Sequence, residues 1–273
     1  MPGAQAPVTL VPGPGDTRPG PWPPMIRLEN VTKRFGRFAA VDSVSLSVNP
    51  GELVAFLGPN GAGKTTTIRM LMGMLVPTEG RVTIDGLDCF LARPEVMRRV
   101  GYLPDELVFP EYMRGREVLE FMGEMQGMTR PDARARALTL LAEFGLLEAG
   151  EEYAMNYSMG MKKKLGLASA MVHEPPVWIL DEPTNGLDPR AARDVDLHLD
   201  RARARGQTIF LSTHLLDRAE RLDARVAIID AGKLVAAGPI GELRQNLATG
   251  GSLEEIFLKV TETPAPLRDG NLR

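Results

Sequence analysis

Cysteine is almost missing from this sequence. Cys89 stands alone, which excludes an internal disulfide and fits a reducing compartment; the residue itself reads as inert packing. Long apolar runs are missing too. None approaches the roughly 18 residues that a membrane-spanning helix needs, so a membrane role is expected to require a partner. A strong charge of either sign is also lacking. With 32 Lys+Arg against 35 Asp+Glu the formal net charge is −3, and no global basic field points to nucleic acid. The N-terminus has no basic stretch followed by an apolar one, so no secretory signal is expected. What remains is the ordinary balance of a globular protein, 44% hydrophobic and 25% charged. A chain of 273 residues suits one large domain or two small ones.

Residues 1–24 hold eight prolines and four glycines, which leaves almost nothing to bury and predicts a disordered tail. A folded unit is expected over 25–245. Ile26, Leu28 and Val31, then Val44, Leu46 and Val48, alternate as strands do. Leu53–Leu57 reads as a short buried strand running into a Gly-rich loop, with a helix from Thr65 to about Leu75. From Pro94 to about His173 helical signals dominate (Glu117–Met125, Arg130–Phe144, Met161–Val172), so a mostly helical insertion is expected over about 94–173. Strand signals return at Val177–Leu180, Thr208–Ser212 and Val226–Ile229, and such alternation implies a parallel sheet covered on both faces. Residues 246–273 read as a short helix and tail, the helix opened by the capping-box pattern Ser252-Leu253-Glu254-Glu255.

The chemistry lies in short segments far apart in the chain. Gly58-Pro59-Asn60-Gly61-Ala62-Gly63-Lys64-Thr65-Thr66 has the strand–loop–helix context of a phosphate-cradling loop. Gly58, Gly61 and Gly63 let backbone N–H groups approach phosphate oxygens, Lys64 reaches the β and γ phosphates, and the Thr65 hydroxyl can ligate magnesium. Asp181 and Glu182 end an apolar strand, at the edge where open α/β sheets bind ligands; Asp181 would hold the magnesium shell and Glu182 would orient or deprotonate a water. His214 follows the next strand and could hydrogen-bond the γ-phosphate. Ser158 and Gly160 sit where a helix begins, a second site for an anion. Lys162, Lys163 and Lys164 read as a solvated face, and His173 and His198 as structural or solvent-facing.

Taken in order, these segments resemble the ATP-binding-cassette (ABC) ATPase subunits, over about Ile26 to Val260. Walker A falls at 58–65, the signature at 157–161, Walker B at 177–182 and the switch histidine at His214. The resemblance implies an α/β fold: a RecA-like P-loop NTPase core with an antiparallel β subdomain and a helical insertion. It implies ATP and Mg2+ as ligands, Phe35 stacked on adenine, and Asn185-Gly186-Leu187-Asp188 as a D-loop whose Asp188 lies at a dimer interface. Two copies, in a homodimer or heterodimer, would pair head to tail. Each ATP would then lie between one Walker A and the other copy's Ser158, Met159, Gly160 and Met161.

The Tyr-Ser-x-Gly-Met-Lys signature and the ending Ser-Leu-Glu-Glu-Ile-Phe-Leu resemble ATPase subunits of ABC-2-type exporters. Those act through a separately encoded integral-membrane permease, which implies a cytoplasmic protein held peripherally at the inner face of the membrane, with no nucleic-acid partner. The rivals are a soluble ABC ATPase acting on ribosomes or DNA and a regulatory nucleotide-binding module. The first would carry two cassettes or a long coiled coil; the second would have lost catalytic positions. Two departures stand out. Met159-Gly160-Met161 replaces the family's Gly-Gly-Gln, and Asp105 occupies the Q-loop position where glutamine usually contacts magnesium and links the nucleotide to the permease.

Overall fold

The computed structural model describes residues 23–246 and 252–261. The expected Pro/Gly-rich tail lies, except for Pro23 and Pro24, outside the described residues, as do 247–251 and 262–273.

An antiparallel hairpin opens the fold. Strand β1 (Ile26–Phe35) pairs with β2 (Phe38–Val48), with Phe35 opposite Phe38 at its tip. The six alternating residues Ile26, Leu28, Val31, Val44, Leu46 and Val48 are all buried. Next come β3 (Leu53–Leu57), buried at every residue, and α1 (Lys64–Leu71). Helix α1 stops short of the expected Leu75. Gly73 adopts a left-handed φ of 61°, Gly73 N–H bonds Met70 O at 3.0 Å and Met74 N–H bonds Arg69 O at 2.9 Å, the pairing that closes a helix C-terminus. Strands β4 (Glu79–Ile84) and β5 (Leu87–Asp88) complete a four-stranded sheet in the order β2-β1-β4-β5. The Cys89 thiol is buried and its pKa is pushed up to about 12 by desolvation, an unreactive state.

After the single turn α2 (Arg93–Met97), the expected helical stretch proves mixed. Val100–Leu103 forms β6 and pairs in parallel with a later strand. A four-residue strand with Gly101 in second place carries a weak strand signal, and only its partner makes it visible. The helical part proper is α3 (Gly115–Met125), α4 (Arg130–Glu143), two 3₁₀ turns and α5 (Met159–Met171). The chain then returns through β7 (Val177–Asp181), α6 (Pro189–Ala204), β8 (Thr208–Thr213), α7 (Leu216–Arg221), β9 (Arg225–Asp230), β10 (Lys233–Pro239), α8 (Ile240–Asn246) and α9 (Leu253–Thr261). Helix α9 appears at the expected capping pattern, and its first amide, Leu253 N–H, bonds the Glu220 carboxylate at 2.6 Å.

The larger sheet runs β10-β9-β3-β8-β7-β6, with all but β10 parallel. Its residues sort by parity. Leu53, Ala55, Leu57, Trp178, Leu180, Ile209 and Leu211 pack toward the helices of the 115–256 region. Val54, Phe56, Ile179 and Phe210 pack toward α1 and the antiparallel sheet. A strand buried on both faces must be apolar throughout, which is why these segments lack alternation.

Candidate functional site

Parallel strands put their C-terminal ends along one edge of a sheet. Here β3, β8 and β7 lie side by side, with Leu57 opposite Thr213 and Ser212 opposite Asp181. That register brings residues 58–66, Asp181, Glu182 and His214 together, although more than 150 positions separate the first from the last. Phe35, Phe38, Pro59, Asn60, Gly61, Gly63, Lys64, Thr65, Thr66, Asp105, Asp181 and Glu182 line one cleft of about 420 Å³.

Two glycines of the loop answer to the protein's own packing. A Cβ on Gly58 would sit 2.4 Å from Ile229 O, and one on Gly63, whose φ is 111°, would sit 2.6 Å from Ala40 O. The loop is thereby pressed against β9 and β2, and Ala62 is buried behind it. Lys64 is 7% exposed and donates to Gly58 O at 2.7 Å and Pro59 O at 3.2 Å. Burial draws its ammonium below the usual lysine range, while the carboxylates of Glu182, Asp181 and Asp105 pull it back up.

Asp181 is buried and accepts a hydrogen bond from the Ser212 hydroxyl. Desolvation raises its carboxyl above the usual range and the Ser212 bond opposes that shift. Glu182 is also buried, with a left-handed φ of 46°. Non-glycine residues hold that conformation only where their surroundings enforce it. Its N–H bonds Ser212 O at 3.1 Å, and its carboxylate lies 3.0 Å from His214 Nδ1 and 3.9 Å from Lys64 Nζ. His214 itself is exposed.

Asp105 borders this cleft and a second one of about 470 Å³, lined also by Glu106, Leu107, Met159, Lys162, Lys163, Asn185 and Gly186. Ser158, Met159, Gly160 and Met161 are not brought into the cleft of the Gly-rich loop. Ser158 caps α5, its hydroxyl accepting from Met161 N–H at 3.3 Å; Met159 is 61% exposed. Asp188 caps α6 by accepting from Arg190 and Ala191 N–H, both at 2.9 Å, and those backbone bonds hold its carboxyl below the usual range.

One sequence reading is overturned. The lysine run is not a solvated face throughout: Lys163 is only 3% exposed, and its Nζ donates to Asp105 O at 2.7 Å and Glu182 O at 3.2 Å. Helical spacing held the clue, because Lys163 shares its face with Gly166, Leu167 and Ala170, all buried. Three further residues escaped notice. Phe38 stands exposed beside Phe35 in the cleft lining. Ser212 looked like one more strand residue, although a serine after Thr-Ile-Phe-Leu was a polar exception. Arg218, 1% exposed, donates to the Thr184 hydroxyl and the Asp196 carboxylate, bracing the turn that leads to Asp188. His198 is stacked on Phe144, ring centroids 4.0 Å apart, and lines neither cleft.

Among the described residues no group of three or more His, Cys, Asp or Glu forms a ready metal cage. The Thr65 hydroxyl and the Asp181 carboxylate are hard oxygen donors, and magnesium is typically held by one or two such groups together with substrate phosphates.

Residues 41–185 match the ABC transporter family profile. A daunorubicin resistance ATP-binding protein of Streptomyces coeruleorubidus is 37% identical over 234 residues, 86% of this chain and 73% of that protein. Among solved structures, an ATP binding subunit of an ABC transporter superposes with a TM-score of 0.81 at 30% identity, covering 86% of this chain and 99% of that one. A dimeric ATP-binding cassette in a post-hydrolysis state, bound to ADP and Pi, superposes with a TM-score of 0.73 at 25% identity, covering 79% and 99%.

Proposed function

This chain belongs to the ABC transporter family, and we propose that it is the subunit that powers export of a drug-like compound through a separate permease. It is an ATP-binding, ATP-hydrolysing subunit. Residues 25–245 form the ATPase unit, and the C-terminal helix packs on it through Glu220 and Leu253. The exporter assignment rests on the daunorubicin resistance relative and on the signature and C-terminal patterns. Among the described residues no helix is long and apolar enough to cross a membrane, so attachment at the inner face falls to the permease.

The observation that carries the catalytic reading is the carboxylate of Glu182, 3.0 Å from His214 Nδ1 and 3.9 Å from Lys64 Nζ. Backbone amides of 58–66 and the Lys64 ammonium bind the phosphates, while Phe35 supplies a face for the base. Thr65 and Asp181 would hold Mg2+, which would neutralise phosphate charge; Asp105 would offer a further anionic oxygen. Glu182 orients a water for attack on the γ-phosphorus. As the new P–O bond forms and the bond to the β-phosphate oxygen breaks, Glu182 takes the water's proton, and ADP and phosphate leave. His214 hydrogen-bonds the γ-phosphate while facing the Glu182 carboxylate. Ser158, Met159, Gly160 and Met161 serve the nucleotide of a second ATPase subunit, identical or homologous, and Asp188 lies at that junction.

The test is an ATPase assay on the purified chain with and without a co-purified permease. Stimulation by the permease is the expected outcome. A chain with no MgATP hydrolysis in either state would end the reading.

A further inference from the structure

Burying an ammonium is costly, and a well-packed apolar side chain commonly serves stability as well or better. Lys163 therefore calls for a reason. It lies in the second turn of α5, the helix that Ser158 caps. Its Nζ has three donors and meets three acceptors: Asp105 O at 2.7 Å, Glu182 O at 3.2 Å and the Asp105 carboxylate at 3.5 Å. Two of these are backbone carbonyls, one on Glu182 and one on a residue lining the same cleft.

The Glu182 carbonyl belongs to a residue in a left-handed conformation, φ 46°. Such a backbone persists only when neighbours over-determine it. Ser212 O accepts from the Glu182 N–H at 3.1 Å, and Lys163 donates to its carbonyl at 3.2 Å. The same ammonium supplies a counter-charge to Asp105, whose carboxylate also accepts from the Asn185 side-chain amide at 3.4 Å. One buried atom thus joins the signature helix, the Asp105 loop and the peptide of the general base.

Resting on the ATPase reading above, we propose that Lys163 is a positioning residue. It fixes the backbone of Glu182 so that its carboxylate is aimed at the attacking water, and it ties that aim to the placement of α5 and Asp105.

The test uses the full chain and steady-state MgATP hydrolysis. Lys163→Met keeps the aliphatic stem and removes the three donors. The expected result is a fall in kcat of about tenfold or more with KM within about threefold, since an aiming defect is felt in the transition state and not in ground-state binding. In a Glu182→Gln background the same change should lower the residual rate by less than about threefold, because residues acting as a unit are not additive. Should Lys163→Met fail to fold, Lys163→Met with Asp105→Asn removes the stranded carboxylate. It is compared with Asp105→Asn alone, and the same fall in kcat is expected. A smaller fall in kcat, a matching rise in KM, or an equal loss with and without the Glu182 carboxylate would overturn the proposal. A wild-type chain with no ATPase activity would overturn both this inference and the reading beneath it.

Discussion

Two helices of this protein begin where an anion is proposed to bind, and they begin differently. Helix α1 starts behind Gly63, which has no side chain with which to cap it. Its first residues, Lys64, Thr65 and Thr66, line the cleft, and the buried Lys64 ammonium already touches two loop carbonyls. Helix α5 starts behind Ser158, which satisfies the Met161 amide itself, on an exposed surface with Met159 pointing outward. The positive end of a helix favours anions in both cases. The first terminus is pressed against β2 and β9 and has no side-chain cap. The second is partly self-satisfied and open to whatever docks on it. On the proposed reading, one site binds by itself and the other completes a site on a second subunit.

The largest expected effect tests the enclosed site. Glu182→Gln keeps the shape but cannot take the water's proton, so turnover should fall by about 10²-fold or more while ATP still binds. The variant should run as an ATP-bound dimer on size-exclusion chromatography, and turnover at the wild-type rate would remove Glu182 from its role. Ser158→Arg probes the open site. ATP affinity of the monomer should stay within about threefold, yet the ATP-dependent dimer should not form, since desolvating an unpaired cation at an interface is unfavourable. Loss of monomer binding would collapse the contrast between the two helices.

Lys64→Ala should cost about 1.5–3 kcal/mol of ATP affinity, the scale of a charge-assisted hydrogen bond, read by calorimetry; unchanged affinity would mean that the enclosed site does not depend on its lysine. Asp105→Gln lies between the two sites and is expected to change MgATP affinity by no more than about tenfold, roughly 1.4 kcal/mol. The added like charge and the added magnesium ligand oppose each other. Its main effect should appear as altered stimulation of ATPase activity by the permease.

The smallest effect is at a third helix start. Backbone N–H bonds hold the Asp188 carboxyl below the usual range. A depressed folded pKa contributes stability above the ordinary carboxylate range, and that contribution is lost as pH falls through the lowered value. Asp188→Ala should therefore lower Tm at neutral pH, with the gap to wild type closing in acid. A gap independent of pH would show that the cap acts without its charge.

Much of the enclosed site was legible because its parts are contiguous. Residues 53–66 carry strand, loop and helix signals in one run, and Asp181–Glu182 end an apolar strand. The edge strand β6 was hidden inside a helical stretch, because four residues with a glycine declare themselves only through pairing with Val177–Leu180. Helix α6 was unread between its motifs, its buried positions Val195, His198, Leu199 and Ala202 diluted by arginine and aspartate.

By itself the sequence determined which chemical groups exist and which lie next to one another: a glycine-rich turn before a helix, two acids at a strand end, a serine at a helix start. These depend on φ/ψ preferences and side-chain periodicity over a few residues, which local order specifies. Tertiary structure alone decided that Lys163 reaches Asp105 across 58 positions and Glu182 across 19, that Asn185 meets Asp105 across 80, and that Phe38 shares a cleft with the Gly-rich loop. Periodicity can say that Lys163 faces inward. Its acceptors are set by how α5 lies against the ends of β6 and β7, a packing decision made by the whole core.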